Sequence, residues 1–400
     1  MTRPTEKLAL HGGLPVRENF LPYGRQNLVE EDIVAVEQVL RSDWLTTGPK
    51  INELETHLSE VTGTEFAVAV SSGTAALHGT MFALGISSGD EVIVPAITFA
   101  ATANAVLYQG GVPVFVDVDS NTLLIDLEDI NRKITAKTKA IVSMDYAGHP
   151  CQYESLVEVA ERHGLALVAD ASHSLGASYK GHPVGQLVDM STYSFHPVKH
   201  ITSGEGGAVA TNDASYARMV RLFRNHGITT DHHDRLIQRA HSYQMTELGY
   251  NYRITDFQCA LAGSQLKRLP DFLQKRKAIA NYYNQMLEQI DGVTPLAVSP
   301  DVSHAYHLYV VKIETSVLGV DRDTVFMELR AENIGVNVNY VPVYWHPYYN
   351  RLGYERGICP VSERVYDTII SLPLFYAMTD SDVSDVVHAV RKVVQHHTGY

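Results

Sequence analysis

Residues 191–207 of this 400-residue chain read STYSFHPVKHITSGEGG. Alternation at Tyr193 and Phe195 marks the end of a strand, Pro197 stops its ladder, and one lysine, Lys199, follows at once. Behind it Ser203-Gly204-Glu205-Gly206-Gly207 makes a tight turn into a second apolar run, AVAT. A solvated lysine needs no such frame; one that must reach into a pocket does. Two further groups occupy comparable places. Asp170 closes the apolar run LALVAD, with His173 three residues on. Ser71-Ser72-Gly73-Thr74 joins the strand-like FAVAV to the helix-like AALHGTMFALG. Its backbone N–H groups therefore open a helix and suit a phosphate.

Each group alone has a plainer reading: a capped helix, an N-cap acid, a surface lysine. One cofactor uses all three. Pyridoxal phosphate (PLP) needs a lysine for its covalent attachment, a carboxylate for its pyridinium nitrogen and a helix N-terminus for its phosphate. Such a carboxylate favours the protonated ring nitrogen, and the lysine, once released, is free to move a proton between carbon atoms. Burial and a nearby cationic ring should lower the lysine pKa.

These groups require a scaffold that brings strand ends together. From about residue 66, short runs apolar on both faces (FAVAV, EVIVP, VPVFVDVD, AIVSMDY, LALVAD) alternate with helical stretches such as ESLVEVAERHG. That rhythm predicts an α/β fold, a mostly parallel sheet covered by helices, with ligands at the strands' carboxyl ends. No GxGxxG follows any of these strands, so a dinucleotide site gains nothing. After residue 212 helices dominate, in ARMVRLFRNHG and in FQCALAGSQLKRLPDFLQKRKAIANYYNQML. Farther on, YHLYVVKIE and VNVNYVPVY read as strands, and RDTVFMELRAENIG and SDVSDVVHAVRKVVQ as helices. The expected organisation is an N-terminal arm over 1–30, a large α/β domain over 31–265 and a smaller α+β domain over 266–400.

Bulk composition narrows the partners. The 32 basic and 45 acidic side chains give a net charge of −13, which argues against nucleic acid or an anionic membrane as the main partner. Cys151, Cys259 and Cys359 lie far apart with no CxxC spacing, as expected of free thiols in a reducing compartment. With neither a signal-like N-terminus nor a membrane-length apolar run, a cytoplasmic protein is expected.

In WLTTGP (44–49), SSGTAAL (71–77), TFAATANAV (98–106), ADASHSLGA (169–177), SFHPVKHITSGEGG (194–207), LGYNYRITDFQ (248–258) and SLPLF (371–375), the chain resembles the DegT/StrS-type sugar-nucleotide aminotransferases, over nearly its whole length. The resemblance implies the type I fold of PLP enzymes and a homodimer with shared active sites. It implies that Lys199 carries the cofactor, Asp170 pairs with its ring nitrogen, His173 lies near the ring and Phe99 stacks on it. Gly73, Thr74 and Ser194 would hold the phosphate, with Asn251 supplied by the neighbouring subunit. The implied substrates are L-glutamate and a nucleotide sugar. His196-Pro197 is similar to the aminotransferases of pseudaminic acid synthesis. The expectation is therefore amination at C4 of a UDP-linked 4-keto-6-deoxy-hexose bearing a 2-acetamido group.

The family often shows histidines where this chain has Asn339 and Tyr344, so the roles of those histidines do not carry over. His307 is a candidate for facing the substrate cleft, and Tyr340 and Tyr344 for stacking a base or sugar, although packing explains the tyrosines equally well. The run Asp231-His232-His233-Asp234 reads as a solvated loop, and no metal site is expected. Competing readings are a C3-aminotransferase or a dehydratase on another nucleotide keto sugar, an amino-acid lyase on the same scaffold, and a catalytically idle PLP-binding regulator. Intact Lys199, Asp170 and Asn251 weigh against the last.

Overall fold

The computed structural model describes residues 6–229 and 242–399, and the run Asp231–Asp234 lies outside the described residues. The expected strands assemble into one seven-stranded sheet. They are β1 (Phe66–Val70), β2 (Glu91–Pro95), β3 (Val112–Val116), β4 (Thr138–Met144), β5 (Ala166–Asp170), β6 (Met190–Ser194) and β7 (Gly207–Thr211). Their spatial order is β1-β7-β6-β5-β4-β2-β3. Only β7 runs antiparallel to its neighbours; the other pairings are parallel. Parallel strands need helical crossovers, and the intervening sequences supply them as α1 (Gly73–Ala83), α2 (Ala100–Tyr108) and α3 (Tyr153–His163). Strands covered on both faces are apolar throughout, and Val68, Val92, Ile93, Val142 and Val168 are all fully buried.

Helix α4 (Ala214–Arg224) packs on the β1 side, its Phe223 ring stacked on Phe82 of α1 at 4.4 Å. The long helical run read from the sequence is two helices, α5 (Asp256–Lys267) and α6 (Leu269–Leu287). They break at Arg268, and Pro270 sits in the first turn of α6, where its missing N–H costs no hydrogen bond. The second domain is built on β8 (Val293–Pro295), β9 (Tyr309–Ile313) and β10 (Ile369–Leu372), all antiparallel. Helices α7 (Arg322–Ala331) and α8 (Asp380–Thr398) share its core, where Val386, Val393 and Leu329 are buried.

Two stretches differ from the sequence reading. VNVNYVPVY forms no strand: one bridge, Asn337 to Ser371, precedes a short turn of helix at Val343–Trp345, because Pro342 ends any ladder. The segment around Val343, Tyr344, Tyr349 and Cys359 packs against Phe115 and Val94 of the large sheet. The N-terminal arm is anchored on the second domain. Leu8 and Leu21 are buried there, and the buried Glu332 carboxylate accepts from Ala9 N, Val16 N and Lys392 Nζ, each at 2.8 Å.

Candidate active site

The carboxyl ends of β5 and β6 and the start of α1 meet at one edge of the sheet. Strand register sets this: Asp170 lies opposite Thr192 of β6, Ser194 of β6 opposite Gly207, and Gly207 opposite Val70 of β1. Two glycines make the approach close. A Cβ on Gly207 would fall 2.6 Å from the Ser72 carbonyl carbon, and one on Gly73 would fall 2.9 Å from Ser194 Cβ. Ser72 caps α1 by accepting from Ala75 N at 3.0 Å. The amides of Gly73 and Thr74 then have no partner within the helix, and Gly73 lies against Ser194.

The loop after β6 is closed on itself. Phe195 N donates to Gly206 O at 2.8 Å, Ser203 N to Phe195 O at 3.0 Å, and Lys199 N to His196 O at 2.9 Å. Lys199 is thereby presented inward from the loop's apex. Burial lowers its pKa from 10.5 to about 8, against a smaller opposing pull from the charge of Asp170. At neutral pH a useful fraction of the amine is free base, as a group that must attack and then relay protons requires.

Asp170 is held by two donors, Thr102 Oγ1 at 2.7 Å and Ser172 N at 3.3 Å. Thr102 is in turn bonded to Thr98 at 2.8 Å, one helical turn earlier. His173 is fully buried and joins the Tyr340 hydroxyl through Nε2 at 3.1 Å. Burial pushes its pKa well below 6.5, with the Lys199 charge adding to the effect, so the ring is neutral. His307 Nε2 stands 3.4 Å from Lys199 Nζ, and its ring packs on His173 with centroids 4.2 Å apart. It too is kept neutral by burial and by Lys199. Arg276 fixes that segment, donating from Nη1 to the carbonyls of Tyr306, His307 and Leu374 at 3.0, 3.3 and 3.1 Å. Burial draws the guanidinium down to about 10. Beneath the His173 loop, the buried carboxyl of Asp145 receives Ser174 Oγ at 2.5 Å, Tyr153 Oη at 2.6 Å and Cys151 N at 2.9 Å. Burial raises its pKa to about 6 in spite of those donors.

The structure thus sets Gly73 against Ser194, brings Lys199 within electrostatic reach of Asp170, and joins Lys199 to His307, His173 and Tyr340 through successive side-chain contacts. Phe99, at the start of α2, is 57% exposed with its ring centroid 5.9 Å from that of Tyr340, so its face is free for a partner. Asn251 is exposed and paired through its backbone with Asn225, and the carbonyl of the next residue, Tyr252, accepts from Ser71 N at 2.9 Å. Tyr344 is a correction. It is fully buried, donates to Glu363 Oε1 at 2.5 Å and packs on Phe115, so it stacks on no sugar or base. Asn339 is buried, its side-chain oxygen accepting from Ser371 at 2.9 Å. His200, beside the lysine, turns away to Ala305 O at 3.0 Å, and burial lowers it to about 3. Thr102, Arg276 and Asp145 were not singled out from the sequence. Thr102 alone left a signal, its i, i+4 spacing from Thr98 in TFAATANAV.

The donor set fits PLP: one buried amine of lowered pKa, one carboxylate fixed by two donors, and open helix amides beside a hydroxyl. When bound, the cofactor supplies the electron sink for removing a proton beside nitrogen. Asp170 would hold a positive ring nitrogen, Lys199 would give and take the proton, and the neutral imidazoles of His173 and His307 would hydrogen-bond beside it without adding charge.

Comparison with known proteins identifies the family. The DegT/DnrJ/EryC1/StrS aminotransferase family matches residues 26–391. The UDP-4-amino-4-deoxy-L-arabinose–oxoglutarate aminotransferase of Shewanella sediminis is 38% identical over 94% of this chain and 98% of its own. Spr1654 from Streptococcus pneumoniae, solved in a PMP form, superposes with a TM-score of 0.89 at 31% identity, covering 94% of this chain and 99% of that one. Its PLP form gives 0.88. Helicobacter pylori PseC, an aminotransferase of pseudaminic acid biosynthesis, gives 0.88 at 32% identity, covering 95% and 100%. The chain belongs to the DegT/DnrJ/EryC1/StrS aminotransferase family and is a PLP-dependent sugar aminotransferase of the type I fold.

Proposed function

We propose that this enzyme transfers the amino group of L-glutamate to C4 of a UDP-linked 4-keto-6-deoxy-hexose bearing a 2-acetamido group. The observation that carries the chemistry is the buried Lys199 amine, at about 8 and 3.4 Å from a neutral imidazole. An amine so placed works as nucleophile and proton carrier near neutral pH. The position and nucleotide rest on likeness. The Shewanella relative is named for a 4-amino product on UDP and for oxoglutarate as the other partner. His196-Pro197 resembles the pseudaminic acid branch, to which the PseC neighbour belongs.

In this reading Lys199 carries the cofactor, Asp170 meets its ring nitrogen, Phe99 covers one ring face and His173 borders it. Gly73, Thr74 and Ser194 take its phosphate. Asn251 of the partner subunit completes the phosphate site, which makes the working unit a homodimer. The test is incubation of the holoenzyme with L-glutamate and a panel of nucleotide 4-keto sugars. NMR of the product should place nitrogen on C4, with 2-oxoglutarate released. Amination at C3, or turnover only of a sugar on another nucleotide, overturns the substrate reading and leaves the aminotransferase intact.

A further inference from the structure

We propose that His11, Glu328 and His396 bind one divalent transition-metal ion, Zn2+ in the simplest case, on the outer face of the second domain. The ion would join the N-terminal arm to the C-terminal helix. The three residues come from distant parts of the chain: the short helical turn Ala9–His11, helix α7 and the last turn of helix α8. One ligand atom from each lies within 4.8 Å of the others. The rings of His11 and His396 are 5.0 Å apart and tilted by 50°, so both flank the same carboxylate.

The carboxylate is the unusual member. Glu328 is only 2% exposed, whereas both histidines are exposed. A buried acid requires a cation or several donors. Glu332, which caps the C-terminus of the same helix, has them in Lys392 and two backbone amides. Among the described residues Glu328 is paired only with His397, whose Nε2 lies 2.8 Å from Oε2 and which is charged only when protonated. His397, donating to Oε2, orients the carboxylate, as outer partners of metal ligands do, and leaves Oε1 for the ion.

Two imidazoles and one carboxylate are a set suited to Zn2+ and unsuited to Ca2+ or Mg2+, which take oxygen ligands. Water would fill the remaining position. Tetrahedral ligands at ~2.0–2.1 Å from zinc lie roughly 3.3 Å apart, so from a spread of up to 4.8 Å the imidazoles must close in by at most about 1.5 Å. Their exposure leaves them free to rotate. His396 also sits at the carbonyl end of a helix, where positive charge is favoured. The site shares no residue with the PLP pocket.

The test uses untagged holoenzyme treated with a chelator and titrated with Zn2+ by calorimetry, alongside thermal unfolding. Wild type should bind one ion per chain at this site. His11→Ala and His396→Ala, both exposed and compatible with folding, should each weaken that binding by at least about tenfold. Glu328→Gln should do the same, and a double substitution of His232 and His233 should leave binding unchanged. Above the dissociation constant, each tenfold rise in free Zn2+ should lower the wild-type unfolding constant about tenfold, and should not do so in His396→Ala. Aminotransferase turnover should be unaltered in His11→Ala. Absence of micromolar binding to wild type, or binding and thermal gain undiminished in both histidine variants, overturns the proposal.

Discussion

Replacing Asp170 by asparagine separates two effects of one carboxylate that act in opposite directions. In the cofactor-free protein Lys199 titrates at about 8, lowered by burial and partly held up by the charge of Asp170. Asparagine keeps the shape, and the hydrogen bond from Thr102 can still reach its side-chain oxygen, but the charge is gone. An opposite charge at close range moves a pKa by about one unit or more. Lys199 in Asp170→Asn should therefore titrate near about 7, and the neutral amine at pH 7 should rise from about a tenth to about half of the chains. Modification of Lys199 by an amine-selective reagent, followed by peptide mass spectrometry across pH, should be about fivefold faster at pH 7. It should converge with wild type in alkali. Turnover of the holoenzyme moves the other way. Without a carboxylate the ring nitrogen is no longer held positive, and kcat should fall by about two orders of magnitude or more, ~3 kcal/mol of barrier. A half-titration point that stays put or rises would refute the coupling between the two side chains. Near-normal turnover would refute the assignment of Asp170 to the ring nitrogen.

Thr102→Val keeps both charges but removes one of the two donors that fix Asp170; the loss of a hydrogen bond to a charged group, ~1.5–3 kcal/mol, should lower kcat by about 10- to 100-fold. Lys199 should titrate nearly where it does in wild type, which distinguishes misplacement from loss of charge. Tyr344→Phe should reduce stability by about 1–2 kcal/mol in denaturant unfolding, since Glu363 loses a donor, while kcat/KM stays near wild type. A large rise in KM for the nucleotide sugar would return Tyr344 to the substrate site. Lys199→Ala chains mixed with Asn251→Ala chains should recover activity once subunits exchange, because one site of the mixed dimer regains both groups. If each variant is inactive alone and exchange is confirmed, failure to recover removes Asn251 from the shared site.

How much of this site can be read from sequence follows from where each group's determinants lie. The runs FAVAV, EVIVP and LALVAD are apolar throughout because helices cover both faces of the sheet, so strand ends and the residues just past them are marked locally. Asp170, Ser194, Lys199 and the Ser72–Thr74 turn all sit at such ends, and a parallel sheet brings those ends to one edge. Residues whose placement depends on chain crossing leave no comparable mark. His307 reaches Lys199 across 108 positions, and it is aimed there by Arg276, a helix residue that binds the carbonyls of its own segment and of Leu374. In sequence Arg276 is one cation in LQKRK; only burial of its guanidinium distinguishes it from its neighbours. Tyr340 and Tyr344 show the same limit from the other side. They are four residues apart in one aromatic-rich run, yet the hydroxyl of the first meets His173 and that of the second meets Glu363. The strand assignment put both on one face, as the alternation of a strand requires. Pro342 between them breaks that alternation, and the chain turns away from the cleft before Tyr344 is reached.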